Sequence, residues 1–186
     1  MKLIYFLAAI AFVSMQSYAQ IAKYTFDSTL NNSNGNAAFA SNIQLSFVED
    51  RYGHDQRALL INGSGTTASI ANLPIGNSAR TISIWIKSSL SRADNWIFNY
   101  GSGAANNSCG LGQFTAGGKT DLRFFGYSND LSFYDPIIPS SWTHYVVTYS
   151  SAGMATIYVN GVMKISETKA GWNTLNPDYA LENTKG

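Results

Sequence analysis

The sequence predicts an all-β domain, an antiparallel β-sandwich of jelly-roll type. Three observations carry that expectation. Asn160-Gly161 separates two runs rich in Val, Ile, Tyr and Thr, Ala155 to Val159 and Val162 to Glu167. Asn-Gly favours a tight hairpin turn, because both turn residues take positive φ. Thr81-Ile-Ser-Ile-Trp-Ile-Lys87 alternates strictly, with Ile82, Ile84 and Ile86 on one face and Thr81, Ser83, Trp85 and Lys87 on the other. Beyond the first nineteen residues, no segment keeps a 3.6-residue apolar period over three turns, and turn formers recur at the spacing of short strands.

The elements follow in order. Met1-Lys2, the apolar run Leu3 to Val13 and the small residues around Ser17-Tyr18-Ala19 have the form of a signal peptide over residues 1–19. The run is too short to span a bilayer as a mature helix. The folded domain is therefore expected over 20–186, with no transmembrane segment after cleavage. Ile21 to Asp27 reads as a first strand, ended by the turn formers Asn31 to Asn36. Leu45, Phe47 and Val48 form a short strand, and Glu49 to Gly53 a turn. Arg57 to Asn62, Thr67 to Ala71, Thr81 to Lys87 and Asn95 to Tyr100 are strands bounded by Gly, Asn or Pro. Cys109 to Thr115, Asp121 to Tyr127 and Leu131 to Tyr134 continue the series. Trp142 to Tyr149 opens a three-stranded meander completed by the Asn160-Gly161 hairpin. An amphipathic meander needs a second layer over its apolar face.

Composition narrows the function. The net charge is +1 and only 12% of residues are charged, so no basic surface speaks for nucleic acid. The single Cys109 excludes an intramolecular disulfide and multi-thiolate zinc sites. Stability must come from a packed core, which a single domain of this length can bury. Aromatics make up 13% of the chain, with 16 Gly, as suits a loop-rich exported domain.

A set of landmarks in fixed order resembles the laminin G-like jelly roll of the concanavalin A-like lectin/glucanase superfamily. They are Tyr24-x-Phe26-Asp27, Leu30 with Ser33-Asn-Gly-Asn36, Asp50-Arg51-x-Gly53, and Ala58-Leu59 leading to Asn62-Gly63. Thr81-Ile-Ser-x-Trp85-x-Lys87, Trp142-x-His144-x-Val-x-Thr148-Tyr149 and Tyr158-Val-Asn-Gly161 complete it. The resemblance implies two curved antiparallel sheets and an exported, secreted or cell-surface binding module for a polysaccharide, a surface glycan or an extracellular protein. It places Trp85 and Trp142 in the core and gives His144 a structural role. Similar domains end in a strand with a Gly-x-Ile-Asp-Asp-like segment, which the stretch from Trp172 to Gly186 lacks; the last strand is divergent or missing. The superfamily also implies a structural Ca2+, for which Asp27 and the loop from Asn31 to Asn36 offer oxygen ligands, although turn formation explains the same residues.

Two alternatives stand beside a binding module: a glycoside hydrolase of the same superfamily, and an adhesive or structural domain without a small ligand. A retaining hydrolase needs two carboxyls about 5–5.5 Å apart. No Glu-x-Asp-x-x-Glu strand occurs, so no catalytic residue is assigned. For carbohydrate binding, sugars stack their C–H faces on aromatic rings while amides meet the hydroxyls. Trp96, Tyr127, Tyr134 and Trp172 lie near strand ends or loops among Asn95, Asn129, Asp130 and Asn173 and are the candidate binding rings. The competing role for each is to cap the core.

Overall fold

The computed structural model describes residues 20–34, 38–40, 45–61, 72–88, 95–116, 119–134 and 140–175. The expected signal peptide, the strand over Thr67 to Ala71 and the tail beyond Leu175 lie outside the described residues. Among the described residues ten strands occur: β1 (Ser46–Val48), β2 (Ala58–Leu60), β3 (Arg80–Lys87), β4 (Asn95–Gly101), β5 (Ser108–Ala116), β6 (Lys119–Phe125), β7 (Leu131–Tyr134), β8 (Trp142–Tyr149), β9 (Met154–Val159) and β10 (Val162–Thr168). They form two four-stranded antiparallel sheets, ordered β10-β9-β8-β3 and β4-β5-β6-β7, and a small β1-β2 pair.

The meander is β8-β9-β10, and β3 closes its other side through the register Ile84↔Tyr145. Asn160 and Gly161 both take positive φ, 49° and 80°, as their turn requires. The Asn160 side-chain oxygen also accepts from the His144 amide at 2.9 Å, tying the turn to β8.

Alternation then builds the interior. Tyr145, Val147 and Tyr149 from β8 and Ala155, Ile157 and Val159 from β9 face Phe98, Tyr100, Cys109, Leu111, Leu122, Phe124 and Leu131 of the second sheet in one core. Ile82, Ile84 and Ile86 pack against that core from the edge strand β3, half-buried. The sandwich and its isoleucine row thus stand as expected.

Two departures concern the start of the chain and Trp85. The stretch from Ile21 to Asp27 makes a single bridge, Tyr24↔Asn32, and Phe26 and Ser28 take φ of 57° and 53°. Residues in that left-handed region cannot continue a pleated strand. Trp85, expected in the core, is 40% exposed on the outer face. Strict period-2 geometry forces this, since the inward positions of β3 belong to the isoleucines. Trp85 stacks on His144 at 4.8 Å and receives the Arg51 guanidinium at 4.7 Å. Trp142 is half-buried at the start of β8. β6 also ends at Phe125, two residues before the expected Tyr127, which takes φ of 65°.

One end of the sandwich is closed by the segment after β10. Thr174 bridges Gly76, and Trp172 is 1% exposed, its Nε1 donating to the Asn129 carbonyl at 2.9 Å. Arg80, 6% exposed, donates to the carbonyls of Ser78 and Gly76 and to Thr174 Oγ1 at 2.7–3.0 Å. A buried guanidinium demands such satisfaction, and here it joins β3, the 74–78 loop and the final segment.

Candidate binding face

The outer face of β4-β5-β6-β7 follows from the same alternation. With Cys109, Leu111 and Gln113 turned inward, β5 turns Gly110, Gly112 and Phe114 outward. On β6, Leu122 and Phe124 point in, so Asp121, Arg123 and Phe125 point out. A bulge between Trp96 and Phe98 keeps Trp96 outward, level with Gly112. Three cross-strand rows result: Asn99, Gly110 and Phe125; Trp96, Gly112, Arg123 and Ser132; Phe114, Asp121 and Tyr134.

The two glycines decide what this face looks like. Strands lie about 4.8 Å apart, so β4 and β6 are separated by roughly twice that. Yet the rings of Trp96 and Phe125 approach to 4.4 Å between centroids. They meet over β5 because Gly110 and Gly112 raise no side chain between them. Phe114 stands edge-on to both, at 5.6 Å from Trp96 and 4.9 Å from Phe125. Arg123 lies 5.0 Å from the Phe114 ring centre and 5.8 Å from that of Phe125. Its Nη2 is 3.6 Å from an Asp121 oxygen, an ion contact too long for a hydrogen bond. Its Nε is buried and makes no hydrogen bond among the described residues. Tyr134, 51% exposed, ends the row that contains Asp121.

The four candidate rings thus separate. Trp96 and Tyr134 share this face. Tyr127, 44% exposed, belongs to the loop between β6 and β7, at the end of the sandwich where Trp172 is sealed. Burial leaves Trp172 no ring face to offer, because it stacks on Tyr149 at 5.0 Å and stands edge-on to Phe124 at 4.9 Å. Its role is that of a core cap. Phe114, Asp121, Arg123 and Phe125 were not singled out from the sequence. The available signal was the alternation in Asp121-Leu-Arg-Phe-Phe125, which sets charge and ring on one side.

The remaining polar candidates resolve locally. Asp27 contacts Arg57 at 3.6 Å, and Asn32 Oδ1 accepts from the Lys23 and Asn34 amides at 2.9 Å. Among the described residues no three His, Cys, Asp or Glu side chains gather as a metal site would require. Asp50 accepts from the amides of Tyr52 and His54, which is turn formation. His144 Nε2 lies 2.8 Å from Ser83 Oγ, but no carboxylate orients its ring among the described residues. No helix among them is long and apolar enough to cross a membrane.

Known proteins share this architecture. No curated protein matches the chain. Domain 4 of AbnA, an extracellular GH43 arabinanase from Geobacillus stearothermophilus solved with arabinotriose, is similar with a TM-score of 0.67 at 21% identity, over 89% of this chain and 84% of that one. The ligand-binding domain of botulinum neurotoxin serotype D, solved with N-acetylneuraminic acid, has a TM-score of 0.61 at 15% identity, and the serotype G binding domain 0.59 at 17%. Each toxin match covers 82% of this chain but only 39% and 40% of the respective toxin domain. At these identities the likeness is one of fold. The Laminin_G_3 family model matches residues 62–183, well over half of the chain, and with the two-sheet sandwich described above it places this protein in the concanavalin A-like lectin/glucanases superfamily.

Proposed function

We propose that this chain is an exported, non-catalytic module that binds glycan chains on the outer face of β4-β5-β6-β7. The observation that carries this reading is the cluster of Trp96, Phe114 and Phe125 gathered over a glycine floor with Arg123 beside it. The half-buried rings of Trp96 and Phe114 supply surface for C–H stacking, Phe125, only 5% exposed, packs against both and holds them in place, and Arg123 and Asp121 supply charged hydrogen-bonding groups for hydroxyls. The rows run across the strands from half-buried Trp96 and Phe114 to exposed Tyr134, an arrangement that suits the side of an extended chain. A hydrolase would need a second carboxyl facing Asp121, and among the described residues the outward rows of this face supply none. The structural neighbours support the reading by class, since one was solved with an oligosaccharide and another with a sialic acid.

The test is isothermal titration against a panel of oligosaccharides that includes arabinotriose, read in parallel by tryptophan fluorescence. Trp96→Ala is expected to weaken binding by at least about tenfold, the loss of one stacked ring and its burial. Arg123→Ala should reduce it by a smaller factor. Unaltered affinity in Trp96→Ala would sink the proposal for this face, and silence across the whole panel would sink the glycan reading.

A further inference from the structure

A second surface has a different shape. Where the β8-β9 turn meets the segment after β10 and the loop before β3, there is a recess of about 380 Å³. None of its lining residues belongs to β4-β5-β6-β7. Asn77, Asn173 and Ser151 stand at its exposed rim, and Tyr149 and Trp172 form its inner wall. The rest of the lining is glycine and alanine.

Three features bear on what it accepts. Among the described residues no charged side chain lines it, which suits a neutral ligand. The side chains of Asn77, Asn173 and Ser151 make no hydrogen bond to the described residues, so two amides and a hydroxyl keep their full donor and acceptor capacity. The backbone that carries them is fixed: Gly76 and Thr174 exchange bonds of 2.8 and 3.1 Å, Gly153 donates to Ser150 at 2.9 Å, and Lys169 donates to Gly153 at 2.7 Å. Gly76, Gly153 and Gly171 take φ of 60°, 83° and 88°, conformations that permit these close turns.

An asparagine amide donates through its nitrogen and accepts through its oxygen, which matches two neighbouring hydroxyls on one ring. The volume lies at the low end for small-molecule sites. We infer that this recess is a binding site for a single neutral sugar ring, offered either by a free monosaccharide or by the end of a glycan chain. It differs from the aromatic face of β4-β5-β6-β7, which suits the side of a chain, and it stands or falls independently of that face.

The experiment is NMR titration of the labelled chain with L-arabinose, D-xylose, D-galactose, D-glucose and arabinotriose. At least one monosaccharide should shift the side-chain amide signals of Asn77 and Asn173 together and saturably. The Asn77→Ala/Asn173→Ala double variant should weaken that binding about five- to tenfold or more, the loss of one or more hydrogen bonds. Trp96→Ala should leave it unchanged. Both altered asparagines are exposed, and a far-UV circular dichroism spectrum and urea midpoint matching the parent would show that the fold is intact. If no monosaccharide moves those two amides, or the double variant binds as well as the parent, the inference is overturned. Arabinotriose binding more than tenfold tighter than L-arabinose through the same amides would overturn the single-ring claim.

Discussion

At the scale of single residues, the tightest constraint is one hydrogen atom at position 126. A Cβ placed on Gly126 would come within 2.0 Å of Trp172 Nε1, the atom that donates to Asn129. Neither partner can yield, since the indole is wedged between Tyr149 and Phe124. Gly126→Ala is therefore expected to destabilise by several kcal/mol, about the 3–5 kcal/mol of Trp172→Ala itself. Urea denaturation followed by far-UV circular dichroism measures both. A loss under about 1 kcal/mol in either variant would contradict the interior placement of this tryptophan.

At the scale of elements, the β9-β10 hairpin rests on local chemistry. Val162 and Met163 beside the turn are 57% and 59% exposed, so packing contributes little there. The turn itself sets the register Val162↔Val159. Gly161 takes φ of 80°, and a Cβ at that position would meet no atom within 4 Å, so any penalty for a side chain is conformational, not steric crowding. Gly161→Ala should cost about 1 kcal/mol, and Gly161→Val more, because a β-branched residue resists positive φ. Equal denaturation midpoints for parent and Gly161→Val would show that packing, not the turn, fixes this hairpin. β4 is organised differently. Its bulge at Trp96/Phe98 turns the indole outward, and only the neighbouring glycines of β5 let it reach Phe125.

For the whole molecule, the core carries titratable groups whose neutral forms it prefers. Burial pushes the Cys109 thiol above its ordinary 9.0 and the Tyr100 and Tyr149 phenols above 10.0. Their raised folded-state values mean that each contributes stability present in full below its unfolded pKa. That contribution is lost as pH climbs through the unfolded value towards the folded one. Stability should hold through neutrality and fall once pH exceeds about 9, with Cys109 ionising first in the unfolded chain. Urea midpoints at neutral pH and at rising alkaline pH test this, and Cys109→Ala should delay the onset towards the tyrosine range. A midpoint constant into strongly alkaline solution would be inconsistent with the burial of these groups.

The sequence by itself determined the sandwich, because its signals are local. A turn needs two residues of positive φ, as at Asn160-Gly161, and a strand with one buried face must alternate, as from Thr81 to Lys87. The same alternation already placed Trp85 opposite the isoleucines, although family likeness had pointed to the core. What only the tertiary structure decided is which aromatic rings meet. Trp96, Phe114 and Phe125 come from three strands, and their contact depends on Gly110 and Gly112 lying between them. Trp172 was indistinguishable from Trp96 in sequence, each an indole beside amides. One is sealed by Gly126, Phe124 and Tyr149, and the other stands on an outer face. Burial is set by what distant segments bring to a side chain, and no local pattern records it.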